Sequence, residues 1–395
     1  MFNYVFALFV CLVSLAPAFA ADEPAIAFAE RQKPMFQLMQ VEEAWKITRG
    51  GPGCVVGVID SGFDFFHPAL KDSLKPGWFA PGVYHTDFYA MDAHGTLVAS
   101  LIAARHGEGE NGMSGLAPDC TVLAAAQGMP VHRIALAQRE FFNRNPKATM
   151  AEWLKEIIAH GTEFRSFTAE WLEYVFGTVA EGVRYLADRG VRVINISEYL
   201  DTAMLATRSE LRARLDAAFS YAKQKDVLIV LGAGNNDNRV TDYPGDRDFV
   251  LVAGASTMAD KRWSMSVNAN GTEVRQGSCY GPRLNVMAPV ENIVVADPHE
   301  GAYYSWKDTP MGPMKLRFAA PYEALPWGAT SSAAPQVAAL AALVRSLRPE
   351  LKASAVRDLI ERGADDIGAA GVDEETGHGR INFRRTLELA VAAHQ

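Results

Sequence analysis

Short, unbroken apolar runs alternate along this chain with segments whose apolar residues recur every three or four positions. Cys54-Val55-Val56-Gly57-Val58-Ile59 is the first such run. Val122 to Ala125, Val191 to Ile196, Val227 to Leu231 and Phe249 to Ala253 follow. Runs this short, rich in β-branched residues and apolar at nearly every position, predict strands buried on both faces of a parallel sheet. Helical spacing fills the intervals at His94 to Ala104, Leu172 to Arg189 and Leu211 to Lys225. Gln37 to Arg49 is also spaced as a helix, through Leu38, Val41, Trp45 and Ile47, and Gly50-Gly51-Pro52-Gly53 stops it. Strands alternating with helices predict an α/β fold of three layers: a mostly parallel sheet with helices on both faces. In such sheets functional groups collect at the carboxyl ends of the strands, and Asp60 and Gly234-Asn235 both fall at such ends.

The two ends of the pattern differ from this core. Phe2 to Phe19 is apolar and closes on Ala18-Phe19-Ala20, so residues 1–20 are expected to be a secretory signal peptide cleaved before Ala21. Residues 21–36 show no period and are expected to form a tail. Two stretches have the composition of additions: a helical insertion at about 128–171, rich in Trp, Phe and charge, and a loop insertion at about 291–326, rich in Pro, Gly and Tyr. The remainder, residues 37–395, is expected to be one domain. The full 395-residue sequence is 49% apolar, enough for a sizeable core. A net charge of -8 without any Lys/Arg block predicts no nucleic-acid surface. No stable membrane insertion is expected once the signal is removed, and the exported protein is expected in a periplasm or outside the cell. Cys54, Cys120 and Cys279 then remain, which allows one disulfide and one free thiol.

Three motifs bring an acid, an imidazole and a hydroxyl, the groups that activate a serine at neutral pH. Asp60 ends the first strand before Ser61-Gly62, where its carboxylate is placed to accept a hydrogen bond from an imidazole. His94 opens a helix through Gly95-Thr96, and a histidine there is suited to carry a proton to and fro. Ser331 lies just before a helix that runs from Ala333 through Val337, Leu340 and Leu343, with Pro335 in its first turn. That end of a helix is electropositive and favours a developing oxyanion. Ser332 is the rival nucleophile. Asn235, after a buried strand, offers an amide as a second oxyanion donor. His67, before Pro68, is read as structural. No His-Glu-x-x-His run suggests zinc, and no Gly-x-Ser-x-Gly elbow surrounds Ser331.

Val58-Ile59-Asp60-Ser61-Gly62, His94-Gly95-Thr96-Leu97-Val98-Ala99 and Gly328-Ala329-Thr330-Ser331-Ser332-Ala333-Ala334-Pro335 together resemble the three signatures of the subtilisin-like serine peptidases, the subtilases. Gly115-Leu116-Ala117-Pro118, Ala233-Gly234-Asn235, Tyr243-Pro244, Val286-Met287-Ala288-Pro289 and Gly377-His378-Gly379-Arg380-Ile381-Asn382 are similar to the family's smaller motifs. The resemblance implies the subtilisin-like fold, Asp60, His94 and Ser331 as catalytic residues and Asn235 at the oxyanion. It also implies a peptide cleft lined by Ser197, Glu198, Tyr199, Gly232, Ala233 and Gly234, with Asp242 at the base of the specificity pocket. With Glu198 at its wall, that pocket is expected to favour Arg or Lys before the scissile bond. Cys54 opens the Asp60 strand and Cys120 the strand expected beside it, so these two are the candidates for a disulfide. No cofactor is expected; the family often holds structural calcium, but no site is assignable, since Ala69 stands where many members have a liganding Asp.

Departures from the family pattern bear on what the chain does. Ala329 replaces a usual Gly two residues before Ser331, where an added Cβ would strain a backbone with positive φ. Gln336 replaces a common His, and Ser197-Glu198-Tyr199 replaces the usual substrate strand. The family's inhibitory pro-domain has no room between the signal and the domain. The leading expectation is an exported endopeptidase acting on protein or peptide substrates. Two alternatives remain open: a weak or inactive subtilase-fold binding protein with a closed cleft, and a peptide ligase that uses the same triad.

Overall fold

The computed structural model describes residues 28–81, 94–105, 112–127, 144–145, 161–198, 200, 205, 207–240, 247–269, 272–296 and 322–393. Seven strands form its central sheet: β1 (Val55–Asp60), β2 (Leu74–Phe79), β3 (Thr121–Ala126), β4 (Val193–Ile196), β5 (Leu228–Gly232), β6 (Val250–Ser256) and β9 (Val286–Pro289). All run parallel, in the order β2-β3-β1-β4-β5-β6-β9. Each predicted strand is present within a few residues of its expected bounds. Every residue of β5 is buried, as its unbroken apolar run requires. Burying one Leu, Ile or Val there stabilises the fold by about 1.5–3 kcal/mol relative to exposure.

Helices cover the sheet. Two of them, α3 (His94–Ala103) and α6 (Thr330–Leu347), pack on each other and on the central strands. α4 (Gly161–Asp188) and α5 (Ser209–Gln224) form the second pair, α4 lying on β1 and β3 and α5 on β5. α7 (Ala353–Gly363) and α8 (Phe383–Ala392) pack against α6. Two antiparallel pairs complete the description: β7 (Ser264–Ala269) with β8 (Thr272–Gly277), and β10 (Glu291–Ala296) with β11 (Tyr322–Trp327). Among the described residues no helix is long and apolar enough to cross a membrane.

The strand order sets where a site can form. From β1 the chain passes to β2 and β3 on one side, and then returns to β4 on the other side of β1. The crevice beyond the carboxyl ends of β1 and β4 lies at this reversal, the usual ligand position in an open α/β sheet. The register aligns Ile59 with Ile196, Ile196 with Leu231, and Gly232 with Ala253. Asp60, Ser197 and Gly232 therefore leave the sheet side by side along one edge.

Several expectations are corrected. The expected tail over residues 21–36 is helical in its second half, α1 (Phe28–Leu38). Met35 and Phe36 are buried, and Gln32 exchanges two 2.8 Å hydrogen bonds with the backbone of Ser114. A distant loop thus orders a segment that has no period of its own. The helix expected over Gln37 to Arg49 is only α2 (Val41–Trp45), because Gln40 takes a left-handed conformation with φ 57° and ends α1. The supposed loop insertion at 291–326 begins and ends in the paired strands β10 and β11. The 128–171 insertion runs directly into α4 at Gly161. Apart from residues 144–145, the rest of both insertions, the signal segment, and the candidate cleft residues Tyr199 and Asp242 lie outside the described residues. β2 escaped the sequence reading because it is an edge strand: Lys75 and Pro76 are exposed, and an edge needs no apolar run.

Candidate active site

Asp60 is the last residue of β1 and is 1% exposed. Its Oδ1 accepts the Ser61 backbone N–H at 2.8 Å and lies 2.8 Å from Nδ1 of His94. A buried carboxylate in that contact fixes the imidazole's Nδ1–H tautomer and leaves Nε2 as the basic nitrogen. His94 is the first residue of α3, and its side chain remains about one-third exposed, at 35%. Two neighbours bring the helix this close. A Cβ at Gly95 would lie 2.5 Å from the Gly62 carbonyl oxygen, so only glycine admits the approach. Thr96 Oγ1 accepts the Asp64 N–H at 2.8 Å, which pins the turn after β1 to α3. His67 is fully buried and its Nδ1 accepts the Ala69 N–H at 3.1 Å, a structural contact as expected.

Ser331 is the second residue of α6 and is partly exposed. Its Oγ donates to the Ser197 carbonyl at 3.3 Å, and Ser197 Oγ donates to the Ser331 carbonyl at 3.1 Å. The serine thereby sits against the end of β4, beside the strand that ends in Asp60. Ser332 faces elsewhere: a Cβ on Gly328 would meet its Oγ at 2.5 Å and Ile293 Cδ1 at 3.0 Å. One step along a helix turns a side chain by about 100°, enough to place the two hydroxyls on different neighbours.

Asn235 follows β5, and its orientation is set by Thr330. The Thr330 N–H and Oγ1–H donate to Asn235 Oδ1 at 3.0 and 2.8 Å. Thr330 Oγ1 also accepts the Gly234 N–H at 3.1 Å. With the amide oxygen held in this way, the donor side of the carboxamide is the opposite one. The sequence had shown Thr330 only as part of a cap-like Thr-Ser-Ser run; its partners lie 95 and 96 residues away. Asn195, in β4, is fully buried, and its Nδ2 donates to Ser197 Oγ at 3.0 Å.

The sequence profile of the Subtilase family, Peptidase S8, matches residues 51–379. The chain belongs to this family of serine peptidases. It is 31% identical over 354 residues to mycosin-4 of Mycobacterium tuberculosis (strain ATCC 25618 / H37Rv), covering 88% of this chain and 67% of that one. Identity to the thermophilic serine proteinase of Bacillus sp. (strain AK1) is 28% over 342 residues, or 86% of this chain, which spans 63% of the length of that relative. Among solved structures, the MycP3 protease from the type VII (ESX-3) secretion system superposes with a TM-score of 0.59 at 26% identity, covering 93% of this chain and 89% of that chain.

Two departures from the subtilase pattern have structural answers. Ala329, at the N-cap of α6, has φ -134° and ψ -172°. That is ordinary extended backbone, so the expected strain from its Cβ is absent. Gln336 is fully buried and donates from Nε2 to the carbonyls of Pro289 at 2.7 Å and Ser332 at 3.0 Å. It joins the start of α6 to the end of β9. Glu198 is half-buried beside Ser197. Cys54 and Cys120 are bonded to each other across the starts of β1 and β3, and Cys279 is a buried free thiol. Among the described residues no cluster of three His, Cys, Asp or Glu side chains is arranged to hold a metal ion.

Proposed function

We propose that this protein is an exported serine endopeptidase that cleaves peptide bonds through an acyl-enzyme on Ser331. The observation that carries the reading is the 2.8 Å contact between the buried Asp60 carboxylate and His94 Nδ1, at the sheet edge where Ser331 opens α6. Ser331 Oγ attacks the scissile carbonyl carbon while its proton passes to His94 Nε2. The carbonyl electron pair moves onto oxygen, and the oxyanion is held by the Asn235 side-chain N–H and the Ser331 backbone N–H. When the C–N bond breaks, His94 returns the proton to the leaving amine. Water then repeats the sequence on the ester: His94 takes its proton, and Ser331 recovers that proton as the acid departs. Asp60 stays ionised throughout and stabilises the imidazolium. The Thr330 grip on Asn235 Oδ1 supports the donor role, because it leaves the amide no choice of orientation.

Export rests on the apolar 2–19 segment and its Ala18-Phe19-Ala20 terminus. Residues 37–395 form the peptidase domain in this reading, to which the helical segment from residue 28 is added. Labelling with a fluorophosphonate probe tests the activity. The mature protein is expected to label stoichiometrically and the Ser331→Ala variant not at all; an unlabelled intact protein overturns the reading.

A further inference from the structure

The loop that carries Asn235 continues into a group of ions, with the side chains of Asp237 and Arg262 largely buried at its centre, that the reaction above does not use. Asp237 lies two residues on, with a 5% exposed side chain and φ 51°. Its Oδ1 accepts from Arg262 Nη1, and its Oδ2 pairs with Arg275 Nε. Arg262 is 14% exposed and comes from the segment between β6 and β7. Its Nη1 also donates to the Ser278 carbonyl at 2.7 Å, its Nε donates to Glu375, and its guanidinium stacks 4.6 Å from the Tyr280 ring centre. Arg239, two residues further along the loop, donates twice to Glu374 at 2.6 Å.

These ions fasten a backbone ladder. Gly277 N donates to the Asn235 carbonyl at 3.0 Å and Asp237 N to the Gly277 carbonyl at 2.9 Å. Cys279 N donates to the Gly234 carbonyl at 2.8 Å, and Tyr280 N to the Asn238 carbonyl at 3.1 Å. The close approach needs glycine at 277, where a Cβ would lie 2.9 Å from the Trp263 carbonyl oxygen and 3.1 Å from Asp237 Cγ. Asn235 is thus held from two sides. Thr330 fixes its amide oxygen, and the Asp237–Arg262 pair fixes the chain leaving it. A buried carboxylate stripped of its partner is costly, so the loop cannot shift without losing the pair.

We propose that Asp237 and Arg262 are positioning residues that act through Asn235, holding its amide N–H where the oxyanion forms. The inference rests on the reading of Asn235 as an oxyanion donor. A donor displaced from the transition-state oxygen weakens transition-state binding and leaves ground-state substrate binding intact, so its signature is a loss in kcat with KM unchanged.

Asp237→Asn is the first test, because Asn tolerates the left-handed backbone and only the charge is removed. Arg262→Lys keeps the charge but loses the fork and the stack, and it decides the matter if Asp237→Asn does not fold. Each variant is expected to lose about tenfold in kcat per fluorophosphonate-titrated serine, below the ceiling of about 10²–10³ set by loss of the donor itself. In an Asn235→Ala background the same substitution is expected to cost nothing further in kcat. An equal loss in that background, a rise in KM alone, or a lowered Tm with kcat per titrated serine intact overturns the proposal. A second readout needs no activity: in Ser331→Ala protein the Asn235 side-chain amide resonance is expected to move in Asp237→Asn, and an unmoved resonance overturns the inference. Should the intact protein fail to label, the proposed function falls, and this resonance alone decides the clamp.

Discussion

At the scale of single residues, the site is a set of groups with one orientation each. Asp60 accepts hydrogen bonds from Ser61 and His94, and Asn235 has its oxygen committed to Thr330. The expected result for Asn235→Ala is a kcat lowered about 10²–10³-fold with KM little changed, read by steady-state kinetics. That range is the one known for loss of the equivalent donor in subtilisin, a member of the same family. The preference for Arg or Lys expected from Glu198 and Asp242 in the sequence makes a second prediction. Matched peptides with Arg before the scissile bond are expected to be cleaved at least tenfold faster than those with Leu, roughly the worth of one charge-assisted hydrogen bond. Equal rates in a peptide library would end the idea. The motif residues were legible in the sequence because short signatures state both residue type and spacing. Thr330 and Asp237 were not, because their chemistry comes from partners 25 to 96 residues away.

At the scale of elements, the questions are which ends meet and what ties them. β1 and α3 meet at the turn containing Gly62, where Gly95 allows contact and Thr96 fastens it. At the opposite end of the sheet, the Cys54–Cys120 bond ties the starts of two paired strands across a separation of 66 residues. In the chain-entropy account a loop of that length stabilises the folded state by about 4 kcal/mol. The prediction is that Cys54→Ala/Cys120→Ala protein unfolds at markedly lower denaturant, a loss of about 2–5 kcal/mol. Its kcat per titrated serine is expected to be unchanged, since the bond lies at the far end of β1 from Asp60. Unfolding curves and active-site titration together check both halves. Five strands of the sheet, β1 and β3 to β6, were readable because full burial leaves an unbroken apolar run. α1 and β2 were not, for they are ordered by contacts that leave no period: the Gln32–Ser114 exchange in one, and edge pairing with β3 in the other.

At the scale of the whole molecule, Asp226 joins elements far apart in the chain. It takes a left-handed turn, φ 58°, between α5 and β5. Its Oδ1 accepts the Ala353 N–H at 2.7 Å at the start of α7, and its Oδ2 meets Arg345 of α6 at 3.3 Å and Arg192 before β4. Burial alone would raise its pKa. The Ala353 N–H and the two guanidiniums overcome that and hold the carboxyl below its ordinary value of 3.8. A carboxylate with a depressed folded pKa contributes stability above its unfolded pKa and loses it as pH falls through the folded value. The stability gap between wild type and Asp226→Asn is therefore expected to be constant above about pH 5 and to shrink as pH falls below 3.8. Urea unfolding at several pH values measures it; a gap independent of pH would remove Asp226 from the acid response.

By itself the sequence determined the fold class, five of the seven central strands and the motifs that offer an acid, an imidazole and a hydroxyl. Buried parallel strands must be apolar throughout, and activated nucleophiles need particular groups in particular local settings, so both leave marks within a few neighbouring residues. The tertiary structure decided which serine of the pair faces the sheet edge, that Ala329 fits without strain, how Asn235 is turned and what holds it there. Those outcomes depend on register between strands and on contacts between segments separated by tens to hundreds of residues, and no local pattern encodes such distances.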